Sequence, residues 1–233
     1  AITDPAGSRT VSSYLNLAPC LSLPALNRPG LALDIFGLSF DIEAYNAAGK
    51  QGLGGVTVSD DDMFLYTVDL SNKRLVQVKL RNSPEGPLLP GSCSNVNTYQ
   101  IPNIPGCVNI DNRPWAVKEH KGKVYVGVVC SAETSGNRSD MKTQIFVFDP
   151  VTQQWSEVFN NPPSLDYSTK GCAVGMAPTG QGLCCEWNTW LRPNEYLYTG
   201  VNPEGFICHS QPILSDLEFD ADGSIILGFM DRF

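Results

Sequence analysis

Four short apolar runs, each closed by a turn signal, fall within residues 113–159, and that spacing narrows the possible folds more than anything else in the chain. The runs cover 115–119, 123–130, 143–149 and 155–159. Lys121-Gly122 separates the first pair, a polar loop through Gly136 the second, and Asp149-Pro150 the third. Val, Tyr, Phe, Ile and Trp dominate the runs, and these residues suit a pleated, half-buried surface. No run of ten or more residues carries a convincing 3.6-residue apolar period, so long helices are excluded. Four antiparallel strands in about 45 residues, with the small-residue strand Val126-Gly127-Val128-Val129 innermost, make the blade of a β-propeller.

The same grammar recurs on either side. Upstream, residues 53–58, 63–69 and 74–80 read as three strands joined by Ser59-Asp60-Asp61-Asp62 and Ser71-Asn72-Lys73. Asp, Asn and Ser at such corners cap the turn through their own side chains. Residues 98–101 supply a fourth strand after a loop over 82–97, completing a blade. Downstream, 212–219 and 224–231 form a hairpin around Asp220-Ala221-Asp222-Gly223. Residues 1–30 read as an irregular arm, 31–45 as one or two strands, and 160–211 as an insertion carrying cysteines and Trp187 and Trp190. The fold class is therefore all-β: a partial β-propeller of about two and a half four-stranded blades, in one domain over 1–233, with a disulfide-stapled insertion. A closed propeller needs at least about four blades, and strand 224–231 would expose an apolar edge. The missing blades are expected from a longer chain or a partner chain, ahead of closure by further copies.

Composition limits the partners. The net charge of −8 comes without any cluster of Lys or Arg, which excludes binding to nucleic acid through its phosphates. No stretch approaches 18 apolar residues, so no helical membrane span is expected. The opening Ala1-Ile2-Thr3-Asp4-Pro5 has no basic and apolar leader, as in a mature chain or an arbitrary cut. Eight cysteines, at 20, 93, 107, 130, 172, 184, 185 and 208, point to disulfides and an oxidising compartment. None of their spacings is the C-x2-C of a zinc knuckle. Eight cysteines allow 105 connectivities. The best single pair on spacing is Cys93 with Cys107, closing a Pro-rich loop, and the second is Cys172 with Cys184 or Cys185; Cys20, Cys130 and Cys208 are left for the remaining bridges.

Three stretches carry a family resemblance: LGGVTVSDDDMFLYTVDLSNKRLVQV (53–78), RPWAVKEHKGKVYVGVVCSAET (113–134) and QPILSDLEFDADGSIILGFMDR (211–232). They resemble a β-propeller region of large bacterial secreted and cell-surface proteins that often carry B-type repeats of the serine-aspartate adhesin kind. The resemblance implies a chain that continues beyond Asp231-Arg232 and a domain without an assigned activity.

Few constellations could carry chemistry. His209, Ser210, Ser215 and Asp216 lie near one another, but no G-x-S-x-G elbow accompanies them and sequence neighbours rarely form a triad. His120, beside a Lys-Gly turn, is expected in solvent. Asp220 and Asp222 open like a calcium loop, although the following residues are strand and a hairpin corner explains them as well. Asp60-Asp61-Asp62 reads as a solvated corner in the same way. Trp187 and Trp190, with Glu186 and Arg192, could stack on and hydrogen-bond a sugar, or could simply form a small core. Asn137-Arg138-Ser139 is an N-x-S sequon, usable only in a host with the glycosylation machinery. The leading expectation is a non-enzymatic extracellular module for cell-surface architecture, adhesion or protein–protein assembly, with no cofactor, calcium at Asp220 and Asp222 being the one candidate. The alternatives are a calcium-dependent propeller hydrolase or lactonase, and a glycan-binding module centred on Trp187 and Trp190.

Overall fold

A computed structural model describes residues 13–25, 32–33, 39–40, 42–159, 162–163, 187–192 and 210–232. Within them, twelve strands, β1 to β12, two short α-helices and three single-turn 3-10 helices account for the regular structure. The first four-stranded sheet contains β3 (Leu53–Val58), β4 (Phe64–Asp69), β5 (Arg74–Lys79) and β6 (Val96–Gln100) in chain order. The second contains β7 (Asn112–His120), β8 (Lys123–Cys130), β9 (Lys142–Asp149) and β10 (Gln154–Glu157), again in chain order. A hairpin of β11 (Pro212–Phe219) and β12 (Ile225–Asp231) follows. Every pairing is antiparallel, and each strand sits beside its sequence neighbour. The chain is thus mostly β, as its alternating runs require.

Turn chemistry sets the register. Lys121 and Gly122, at φ 51° and 78°, make the two-residue corner between β7 and β8, a conformation whose twist matches the strands on either side. Asp69 fixes the β4–β5 corner by accepting the N–H groups of Ser71 and Asn72, both at 3.1 Å.

The sheets pack face to face, and β8 shows why its sequence is apolar throughout. Successive side chains of a strand point to opposite faces. Val124, Val126 and Val128 enter a core shared with Tyr66, Val68 and Leu75 of the first sheet. Val129 and the half-buried Tyr125 enter a second core with Leu214 and Leu217 of the hairpin. The second sheet is therefore the middle layer, buried on both faces. Glycines set the spacing: a Cβ on Gly127 would lie 2.5 Å from Leu214 Cδ2, and one on Gly54 would lie 2.7 Å from the Trp115 carbonyl oxygen. The first strands of the three units, β3, β7 and β11, come side by side without pairing.

Four readings change. The strand at 126–129, expected innermost, is second in its sheet, and β7 is the strand that meets both β3 and β11. Residues 31–45 hold two paired strands among the described residues, as expected, but each is only two residues long, β1 (Ala32–Leu33) and β2 (Ser39–Phe40), and helix α2 (Ile42–Ala47) begins within the stretch. The N-terminal arm includes helix α1 (Leu17–Leu21), whose Leu21 is buried against Val76 and Val78 on the outer face of the first sheet. The pairing of Cys93 with Cys107 is wrong. Cys93 bonds Cys20, anchoring α1, and Cys107 bonds Cys130 at the end of β8. The loop that carries Cys107 folds back over the second sheet, so the nearest thiol in space is 23 positions away rather than 14. Cys172, Cys184, Cys185 and Cys208 lie outside the described residues.

Candidate functional site

The densest polar cluster is centred on Glu133, just past β8. Its carboxylate accepts from Lys50 Nζ at 2.6 Å and from Arg113 of β7 at 2.8 Å, with all three side chains largely buried. Burial holds the Lys50 and Arg113 pKa values below their usual range, and the ion pairs with Glu133 only partly offset it. Two guanidinium groups lie over the Trp190 ring, Arg113 at 5.3 Å and Arg232 at 4.7 Å from its centroid, a cation–π geometry. The Trp190 indole N–H donates to the Pro212 carbonyl at 2.9 Å. Arg232 donates to the carbonyls of Tyr45 and Ala48 at 2.7 and 2.9 Å, which satisfies acceptors at the end of α2. Five separate segments, around 45–50, 113, 131–134, 190 and 211–232, meet here.

This geometry decides how the candidate residues are used. Trp190 is 2% exposed and two guanidinium groups already lie against its ring, so it is a core residue and cannot stack on a sugar. Trp187 is half-buried and packs towards Phe229, with ring centroids 6.2 Å apart. Arg192 donates to the carbonyls of Glu133 and Thr134. Glu186 and His209 lie outside the described residues. Asp220 accepts the Ala221 N–H at 2.6 Å and Asp222 the Ser224 N–H at 2.8 Å, with Gly223 at φ 88°. Those bonds make a hairpin corner, and the Ser224 N–H holds the Asp222 carboxyl below its usual pKa. Asp61 likewise accepts from the Ser59 hydroxyl and the Met63 N–H. Among the described residues, no three His, Cys, Asp or Glu side chains gather as a metal-ligand group. His120 is not free in solvent: it stacks on Phe219 at 4.0 Å and 5°, and Lys118 pairs with Glu218 beside it, so both tie β7 to β11.

A second polar feature is a cleft of about 500 Å³ where the β4–β5 corner meets the residues after β6. Ser71, Lys73, Gln100, Asn103 and Asn109 line it. The Lys73 ammonium donates to the Asn109 carbonyl. Burial, aided little by its neighbours, pushes the Lys73 pKa down to about 8. Asn112 holds the wall of the cleft, accepting from the Ile104 N–H and donating to the Pro102 carbonyl.

The remaining feature is apolar. On β3, Leu53, Val56 and Val58 are 39%, 64% and 44% exposed; on β12, Ile226 and Met230 are 58% and 36% exposed. Both are edge strands, paired only with β4 and β11 respectively among the described residues. They belong to the first and last units of the stack, and the second sheet lies between those units.

The class of protein is thus a mostly antiparallel β chain, disulfide-linked, whose sheets pack as successive layers. Comparison with known proteins adds long relatives. The chain is 26% identical over 208 residues to Colossin-A of Dictyostelium discoideum, covering 85% of itself and 2% of that protein. It is 26% identical over 212 residues to Colossin-C of the same organism, covering 85% of itself and 18% of that protein. The chain therefore corresponds to a small part of each. Both relatives are eukaryotic, so they lend nothing to the bacterial source that the motif resemblance implied. No family model matches the chain, and no solved structure does.

Proposed function

We propose that this chain is part of an extracellular β-propeller that serves non-enzymatic assembly or adhesion, with its remaining blades contributed by a longer chain or by a partner. The observation that carries this reading is the pair of exposed apolar edge strands, β3 and β12, on the two outer units of a layered stack. An exposed strand edge with apolar side chains is a template for pairing, and soluble proteins cover or charge such edges. Chain-order meanders whose first strands lie side by side also fit blades set around an axis. The disulfides suit an oxidising, extracellular setting. Matches that span most of this chain but a small part of much longer proteins are what one module within a large polypeptide would give.

Sedimentation of the disulfide-intact chain across a concentration series tests this. With its neighbouring blades absent, the chain is expected to associate through β3 and β12, and Val56→Lys or Ile226→Lys should suppress that association. A wild-type chain that stays monomeric up to high concentration, with both variants behaving identically, overturns the reading.

A further inference from the structure

We infer that Asn137 is an N-glycosylation site, and that the β8–β9 loop carrying it faces solvent in the assembled protein. Residues 137–139 read Asn-Arg-Ser, which meets the N-x-S rule with no proline at the middle position. The structure supplies what the motif alone lacks. Asn137 is exposed, as are Thr134, Ser135, Gly136 and Ser139 around it. A Cβ built on Gly136 meets nothing within 4 Å, so the space beside the asparagine is open.

The local conformation presents the reacting atom outwards. Asn137 sits in extended backbone at φ −102° and caps a short turn over Arg138–Asp140. Its Oδ1 accepts the Ser139 N–H at 3.1 Å. Its Nδ2 donates to no group among the described residues, so a saccharide added there breaks no internal bond. The Ser139 side chain stays exposed beside it. The loop is held from below, where Glu133 is locked into its buried ion pairs and Thr134 donates to Asp111 at 2.9 Å. Arg138 donates to the Trp187 carbonyl at 3.0 Å, which turns the middle residue of the sequon inwards and leaves its two ends outside.

The compartment fits the modification. Cys130, seven positions before the asparagine, is disulfide-bonded to Cys107, and disulfides form where secreted chains mature. The objection that a bacterial host lacks the machinery has no support in the relatives found, which are eukaryotic. In the transfer, Nδ2 of Asn137 attacks the anomeric carbon of an oligosaccharide activated as a lipid-linked diphosphate. The new bond is N–C, the anomeric C–O bond to the diphosphate breaks with its electron pair leaving on that group, and one amide proton is lost. A bulky hydrophilic chain here excludes the β8–β9 loop from any buried interface. The inference does not rest on the propeller reading.

The chain should be secreted from a eukaryotic cell and its intact mass compared before and after enzymatic removal of N-linked glycans. A mass loss is expected, with Asn137 recovered as Asp in the released peptide. Asn137→Gln and Ser139→Ala should each abolish the loss while both described disulfides still form. Secreted, disulfide-bonded wild type with no mass loss overturns the inference, and so does a loss that persists in Asn137→Gln.

Discussion

Gly127 shows how a single missing methyl group sets a layer spacing. Its added Cβ would lie 2.5 Å from Leu214 Cδ2, 2.7 Å from Leu214 Cγ and 3.1 Å from Ala116 Cβ, all in a buried cluster. Neither neighbour has room to withdraw, so Gly127→Ala should destabilise the fold by about 1–3 kcal/mol, the usual penalty for overpacking. Equilibrium denaturation measures this directly, and an unchanged midpoint would mean that the β8–β11 contact is looser than drawn. Glu133 is the counterpart among the charges. Glu133→Gln leaves Lys50 and Arg113 buried beside a neutral amide, a loss of about 3–5 kcal/mol for a broken buried pair. Lys73 responds to pH instead. Its folded pKa of about 8 lies below the ordinary 10.5, so the unfolded chain binds the extra proton between those values. Lys73 therefore opposes folding below about pH 8, and that opposition fades as pH rises towards 10.5. Lys73→Gln should remove this upward slope from a stability profile taken between pH 7 and 10.5. Gly127 stood out in the sequence as a small residue among valines. Glu133 did not, because its partners lie 83 and 20 positions away and only the packed sheets bring them together.

Strands proved readable because their signals are local. A period of two, bounded by Lys-Gly, Asp-Gly and Ser-Asn-Lys corners, placed all ten strands of the two sheets and the hairpin within about three residues of their observed ends. Helices of five and six residues leave too short a period to recognise, and so α1 and α2 were missed. Disulfide pairing depends on which loops fold back on which sheets, which sequence spacing does not report. The Cys107–Cys130 bridge closes 23 positions, and replacing both cysteines by Ser should lower stability by about 3 kcal/mol on the chain-entropy model. The same replacement should free the loop that Asn112 and the bridge together hold against the cleft, visible as faster amide exchange at Ile104 and at position 107. The β9–β10 corner titrates on its own. Lys123 pairs with Asp149 at 2.6 Å, and that bond, helped by the Val151 N–H, pulls the Asp149 pKa down to about 2 from 3.8. A depressed carboxyl supports folding above its unfolded pKa and loses that support as pH falls through the folded one. Wild type should thus exceed Asp149→Asn in stability above pH 3.8, and the difference should close as pH falls to about 2.

At the scale of the whole molecule, the two exposed edges are different surfaces, and this fixes how copies can meet. β3 offers Leu53, Val56 and Val58, whereas β12 offers Ile226 and Met230. A contact between β3 of one copy and β12 of another is heterologous, so it repeats until a ring closes or a fibre grows. Lysine on either edge should block the contact by placing a charge where an apolar side chain would be buried. Val56→Lys keeps its β12 edge and Ile226→Lys keeps its β3 edge. Neither variant has a complementary partner in its own population, so each alone should remain monomeric. Mixed in equal amounts they should form a heterodimer and stop there, since the two edges left outside both carry lysine. Wild type at the same total concentration should run to larger species. Light scattering on the four samples separates the possibilities: a heterodimer that appears only on mixing requires that the β3 and β12 edges recognise each other, whereas wild type that runs to larger species beside a mixture that stays monomeric means that the copies associate through another contact.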